Sequence, residues 1–125
     1  MKLENLRKIQ DAERGSKNLS KMDSRFYTEV KDYLYRLLEE KKRSSDQNYF
    51  LMIEDEMKTA KSKLSGIYDR RFFKVMEQAF IRSRNPEVGG DNMELMTNEE
   101  QQVYHEILRV FSEHRERLIL PLLNL

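Results

Sequence analysis

The residues of this chain whose types could do chemistry are few. Arg70, Arg71 and Lys74 lie in one stretch, IYDRRFFKVMEQAF, residues 67–80. Three cations within about two helical turns suit the binding of carboxylates. The two histidines, His105 and His114, are nine positions apart in one segment, which is not ligand spacing for a shared metal ion. His114 reads instead as a packing residue at the edge of an apolar stripe. With no cysteine, disulfide and thiolate chemistry are excluded. No H-E-x-x-H, G-x-G-x-x-G or P-loop pattern occurs. Gly89-Gly90 lacks the lysine and the strand–helix setting that a phosphate cradle needs. The acidic pairs Glu39-Glu40 and Glu99-Glu100 fall at expected helix ends, where the helix dipole and capping account for them. The serines, threonines and tyrosines have no acid–base partner set by spacing. The expectation is therefore no catalytic residue, no metal site, no cofactor and no enzyme activity.

The elements that must position these residues are helices. Leu3, Leu6 and Ile9 give a short amphipathic helix over 3–14, followed by a breaker-rich loop, GSKNLSKM. Asp23 or Ser24 is the expected cap of the next helix. Its stripe is Phe26, Tyr27, Val30, Tyr33, Leu34, Leu37 and Leu38, and it closes on basic residues at EEKKR. After a break at SSDQN, residues 49–84 contain no proline and one glycine, so one long helix is expected, with Ser65-Gly66 the place for a bend. NPEVGGDNMELM, residues 85–96, is the clearest loop. Thr97 and Glu100 form a capping box that opens the last helix, whose stripe is Val103, Tyr104, Ile107, Leu108, Phe111 and Leu118 and which Pro121 is expected to end. No segment alternates with period two. The fold class is all-α: a bundle of four to five helices with one long central helix, a domain over 1–120 and an apolar linker or tail over 121–125.

On a helical wheel, Ile53, Met57, Ala60, Leu64, Ile67, Tyr68, Val75 and Ala79 share one side of the long helix, and Arg71 sits near its middle. Arg70 points to the polar flank with Lys74 and Glu77. A buried guanidinium left unpaired costs several kcal/mol, so a carboxylate should meet Arg71. Glu100 on the last helix and Glu40 beside the second-helix stripe are both in a position to do so. The plain reading is a structural ion pair that fixes helix register, Arg71 with Glu100 or else with Glu40; the alternative is an arginine that binds an anion or a partner carboxylate. Phe72, Phe73, Met76 and Phe80 form a second apolar face, which is either central in the bundle or directed at another chain. The tail LILPLLNL, with Leu120, Leu122 and Leu123, adds to the interface reading.

Bulk properties narrow the class. Hydrophobic residues at 38% and charged residues at 36% suit a soluble protein of strongly amphipathic helices. A net charge of +1 supplies no field for nucleic acid or membrane. Basic clusters at Lys41, Lys42 and Arg43 and at Arg82 and Arg84 alternate with acids, as solvated helix faces do, so direct DNA binding is expected to be weak or absent. The longest apolar run is too short to span a bilayer, and the charged N-terminus does not resemble a signal peptide. With no cysteine, an intracellular location is expected.

Three phrases in order carry a family resemblance. FYTEV supplies Phe26, Tyr27, Glu29 and Val30; RRFFKV supplies Arg71, Lys74 and Val75; MTNEE supplies Met96, Thr97, Glu99 and Glu100. With the helix order, which spans nearly the whole chain, they resemble the helical A domain of the GINS DNA replication proteins, in particular the archaeal subunit type that carries this domain first. The resemblance implies a non-catalytic scaffold in the cytoplasm, associated with the nucleoid. It implies a homo- or hetero-tetramer with other GINS subunits, self or paralogue, which joins the MCM helicase to a RecJ-like protein at the replication fork and, in some lineages, contacts primase or polymerase. It also implies a small β-rich B domain after the A domain, of which there is no strand pattern up to Leu125.

Two other readings compete. Small all-helical enzymes of the chorismate mutase class also place arginines on long helices to grip a dicarboxylate, and Arg71, Arg70 and Lys74 would be the residues drawn in. A stand-alone nucleic-acid binder is the third reading, and it implies binding that weakens steeply with salt.

Overall fold

A computed structural model describes residues 1–87 and 92–125; all the regular structure among them is helical, and they contain no strand. The Gly89-Gly90 pair, in the middle of the expected 85–96 loop, lies outside the described residues. The helices are α1 (Leu3–Arg14), α2 (Phe26–Arg43), α3 (Gln47–Arg84), α4 (Asn98–His114) and α5 (Leu120–Leu123). A 3-10 turn, Met93–Leu95, precedes α4, and a π-helical segment, Arg115–Ile119, joins α4 to α5. The all-α class and the single long helix are as expected. Two compact units divide the chain, one of Met1–Lys17 and Arg25–Arg70, the other of Asn18–Ser24 and Arg71–Leu125, so α3 contributes to both.

In the first unit the hydrophobic stripes are buried over only part of their width. Of α2, Phe26, Val30, Tyr33 and Leu37 are buried, whereas Tyr27, Leu34 and Leu38 are half-buried. Ile53, Ala60 and Ile67 of α3 are buried, Met57 and Leu64 half-buried, and Tyr68 is exposed. The covered face of α1 differs from the expected one. It consists of Leu6, Gln10 and Glu13, with Leu3 and Ile9 half-buried. Polar Gln10 is tolerated there because Lys63 Nζ donates to its Oε1 at 3.2 Å. Tyr33 donates its hydroxyl to Glu56 at 2.5 Å, a link from α2 to α3.

The Asp46 carboxylate accepts from the Asn48 N–H at 2.9 Å at the start of α3. The start of α2 departs from expectation: the N-cap position is Arg25, without a side-chain cap bond, rather than Asp23 or Ser24. α3 also passes through Ser65-Gly66 as α-helix, so the expected bend point lies within a continuous helix. The glycine serves proximity instead, since a Cβ at Gly66 would stand 2.9 Å from the Gln10 side-chain nitrogen.

In the second unit, Leu19, Val75, Ala79, Met96 and Tyr104 form the core, with Met93, Leu95, Ile107 and Leu108 packed partly against it. Pro121 does not end the last helix. It falls in the first turn of α5, after the π-helical segment in which the Leu120 N–H donates to the Arg115 carbonyl five residues back. Proline lacks an N–H and clashes with the carbonyl four residues before it; a wider turn just upstream relieves that clash and lets the helix resume. Leu118 departs from its expected place in the buried stripe and is exposed.

Candidate functional site

Arg71 is built into the second unit. α3 presents it between buried Ile67 and Val75, and its own side chain is fully buried. The Thr97 capping box starts α4: the Glu100 N–H donates to Thr97 Oγ1 at 3.2 Å, and the Thr97 N–H donates to Glu100 Oε1 at 2.9 Å. This places the Glu100 carboxylate at the positive end of the helix dipole and turns it to Arg71. Arg71 Nε donates to Glu100 Oε2 at 2.6 Å and Nη2 to Oε1 at 2.8 Å, a two-pronged pair with both side chains fully buried. Nη2 also donates to the Leu95 carbonyl at 2.8 Å, and Nη1 to the Ser20 carbonyl at 2.9 Å. The 3-10 turn that supplies Leu95 begins at Asn92, in the left-handed region at φ 54°, which asparagine tolerates. One guanidinium thus ties α3 to the 18–24 segment, the 93–95 turn and the start of α4. Lys74 Nζ reaches the Asn18 carbonyl at 3.2 Å and anchors the same segment. Arg70 is exposed, and Glu40 accepts the Tyr49 hydroxyl at 3.3 Å.

The second apolar face is open. Phe73 is 59% exposed, Met76 39% and Phe80 40%, at i, i+3 and i+7 on α3, while Val75 and Ala79 on the other side are fully buried. Phe72 is half-buried. Phe80 is partly engaged within its own unit: it meets Phe111 edge-on at 5.3 Å, and the Arg84 and Arg115 guanidinium groups lie over its ring at 6.0 and 5.9 Å. In the tail, Leu120 is 40% exposed, Leu122 64% and Leu123 71%.

The remaining chemistry is structural in form. His105 stacks edge-on with buried Tyr104, centroids 5.4 Å apart. His114 is exposed, not packed, with its Nδ1 3.1 Å from Arg117 Nη2. Among the described residues no group of three or more His, Cys, Asp or Glu side chains is arranged to hold a metal ion, and no helix is long and apolar enough to cross a membrane. Burial, and then the Glu56 carboxylate, push the Tyr33 phenol well above the ordinary tyrosine range. Sequence periodicity overlooked an open apolar groove between α2 and α3 in the first unit, lined by Tyr27, Leu34, Leu38, Met57, Lys61 and Leu64 among others. The width of the two stripes was its only signal. No protein-family model matches the sequence, and no curated protein matches it significantly.

Proposed function

We propose that this chain is a non-catalytic subunit of a GINS-like replication complex, an oligomeric scaffold that links the replicative helicase to partner proteins at the fork. The observation that carries the reading is the exposed row Phe73, Met76 and Phe80 on a helix whose opposite side is buried. A row of large apolar side chains left in water favours association with a second surface. The exposed leucines of the tail extend the apolar area available for it. The three ordered phrases around Phe26, Arg71 and Thr97 support this reading by their resemblance to the GINS A domain, and the resemblance implies the partners: self or paralogous GINS subunits, the MCM helicase, a RecJ-like protein and, in some lineages, primase or polymerase.

The state of Arg71 weighs against the chorismate mutase type of enzyme. Its guanidinium is buried and already holds Glu100 and two carbonyls, so a substrate carboxylate would have to displace an internal one from a dry site. Light scattering on the purified chain at micromolar concentration tests the proposal. An oligomer, four chains being the expected size, supports it; a strict monomer overturns it.

A further inference from the structure

The groove between α2 and α3 is an open apolar surface of the first unit. Half-buried Tyr27, Leu34 and Leu38 line its α2 wall, and half-buried Met57 and Leu64 its α3 wall. Its main part measures about 410 Å³. A smaller pocket of about 270 Å³ shares Tyr27, Lys61 and Leu64 and continues to Tyr68. Tyr27 therefore lies at the Tyr68 end, and the Leu38 end holds Met57. Each wall covers twelve residues of helix, from 27 to 38 and from 57 to 68, a rise of about 16 Å at 1.5 Å per residue step.

Charge narrows the occupant. The lining of both parts includes two cations, Lys31 on α2 and Lys61 on α3, both exposed, and no carboxylate. Lys31 lies 5.9 Å from the centre of the Tyr35 ring. Past Met57 the surface becomes mixed: Glu54, Asp55 and Lys58 of α3 lie there with Lys41 of α2, and Lys61 borders this part as well. Two lysines over an apolar floor are too few to hold a phosphate backbone, whose binding rises with the number of cations engaged. The walls are helices whose own backbone bonds are satisfied, so they offer no edge to an extended peptide. An occupant must bring its backbone already satisfied, and it must bring carboxylates beside an apolar stripe.

We propose that this groove binds an amphipathic α-helix of a partner protein, about three turns long, whose apolar stripe seats between α2 and α3 and whose flanking Asp or Glu residues pair with Lys31 and Lys61. The inference goes beyond the replication reading and does not depend on it, because it concerns the first unit alone.

The test uses the full chain and labelled peptides of about fifteen residues, long enough to fill the groove. One carries leucines at i, i+3, i+4 and i+7 with glutamates on both flanks; its twin has lysines in place of the glutamates. Fluorescence anisotropy should show saturable binding of the acidic peptide, weaker at higher salt, and about tenfold preference over the basic twin. In the Lys31→Glu, Lys61→Glu double variant the preference should invert; both side chains are exposed, so the fold is not at stake. Leu34→Glu should abolish binding of either peptide, with circular dichroism checking that helicity is kept. Equal binding of the two peptides, no binding, or unchanged binding in the double variant would overturn the proposal. So would loss of self-association in the groove variants, since a second copy would then be the occupant. Failure of the replication reading shows instead as a monomer in light scattering, with peptide binding intact.

Discussion

Arg71 donates hydrogen bonds to Glu100, Leu95 and Ser20 in a place where an aliphatic side chain would need none. The cost of burying two charges is offset only while every partner is present. Arg71→Ala is therefore expected to destabilise by about 3–5 kcal/mol in urea unfolding. Glu100→Gln separates two roles, because glutamine can still close the capping box but cannot neutralise the guanidinium. It should cost nearly as much as Arg71→Ala, and adding Arg71→Met should recover part of the loss, a coupling that a double-mutant cycle reads directly. Tyr33 adds a pH signature. Its phenol ionises at higher pH in the folded chain than in the unfolded one, through burial first and the Glu56 bond second. The sign follows: the contribution is complete below about pH 10, the unfolded value, and is lost as pH rises through the folded one. A Tyr33→Phe variant should be weaker at neutral pH by about 1 kcal/mol and should show a shallower fall in stability on the alkaline side, read by unfolding at a series of pH values. Sequence placed Arg71 on the apolar stripe, but could not choose between Glu100 and Glu40. That choice depends on which helix end comes near, which spacing along one chain does not encode.

Among the elements, α3 shows how far local rules reach. The lack of proline and the apolar stripe were enough to read a long helix, and Thr97 with Glu100 was enough to read where α4 starts. Gly66 was read as a weak point because glycine favours bends, yet here it makes room for Gln10. Gly66→Ala should thus gain less than the ~1 kcal/mol of helix propensity, since the added methyl displaces the Gln10 amide. With Gln10→Ala in the background the full gain should appear in thermal unfolding; equal effects in both backgrounds would refute the close-approach role. The π-helical segment had no counterpart in the sequence reading, because a proline signals a broken hydrogen bond and not how the preceding turn accommodates it. Gln10 and Glu13 on the covered face of α1 were illegible for a related reason: periodicity counts apolar residues, and a polar one is acceptable inside when a partner from another helix reaches it.

For the whole molecule, the near balance of charge, net +1, leaves apolar contact as the main route to assembly. If Phe73, Met76 and the tail leucines meet another chain, self-association should persist or strengthen at high salt, where charge-driven contacts fade. Phe73→Asp with Leu122→Asp should dissociate the oligomer in light scattering and leave circular dichroism unchanged, because both side chains are exposed in the single chain. Phe80 is a poorer probe, since it packs on Phe111 and its loss would disturb the unit itself. Unfolding of the Phe73 and Leu122 variant would mean that these side chains support the fold. The peptide-binding groove should respond to salt in the opposite direction, which separates the two surfaces in one titration.

By itself the sequence determined the class and order of elements: all helices, one of them long, with its arginine on the buried stripe and its phenylalanines off it. It could do so because a helix is held by bonds between near neighbours, and its faces repeat with a fixed period. Only the tertiary structure decided which carboxylate holds Arg71, how much of each stripe is covered, and where an apolar groove stays open. Those outcomes depend on which surfaces from distant parts of the chain exclude water together, and residues remote in sequence set that jointly.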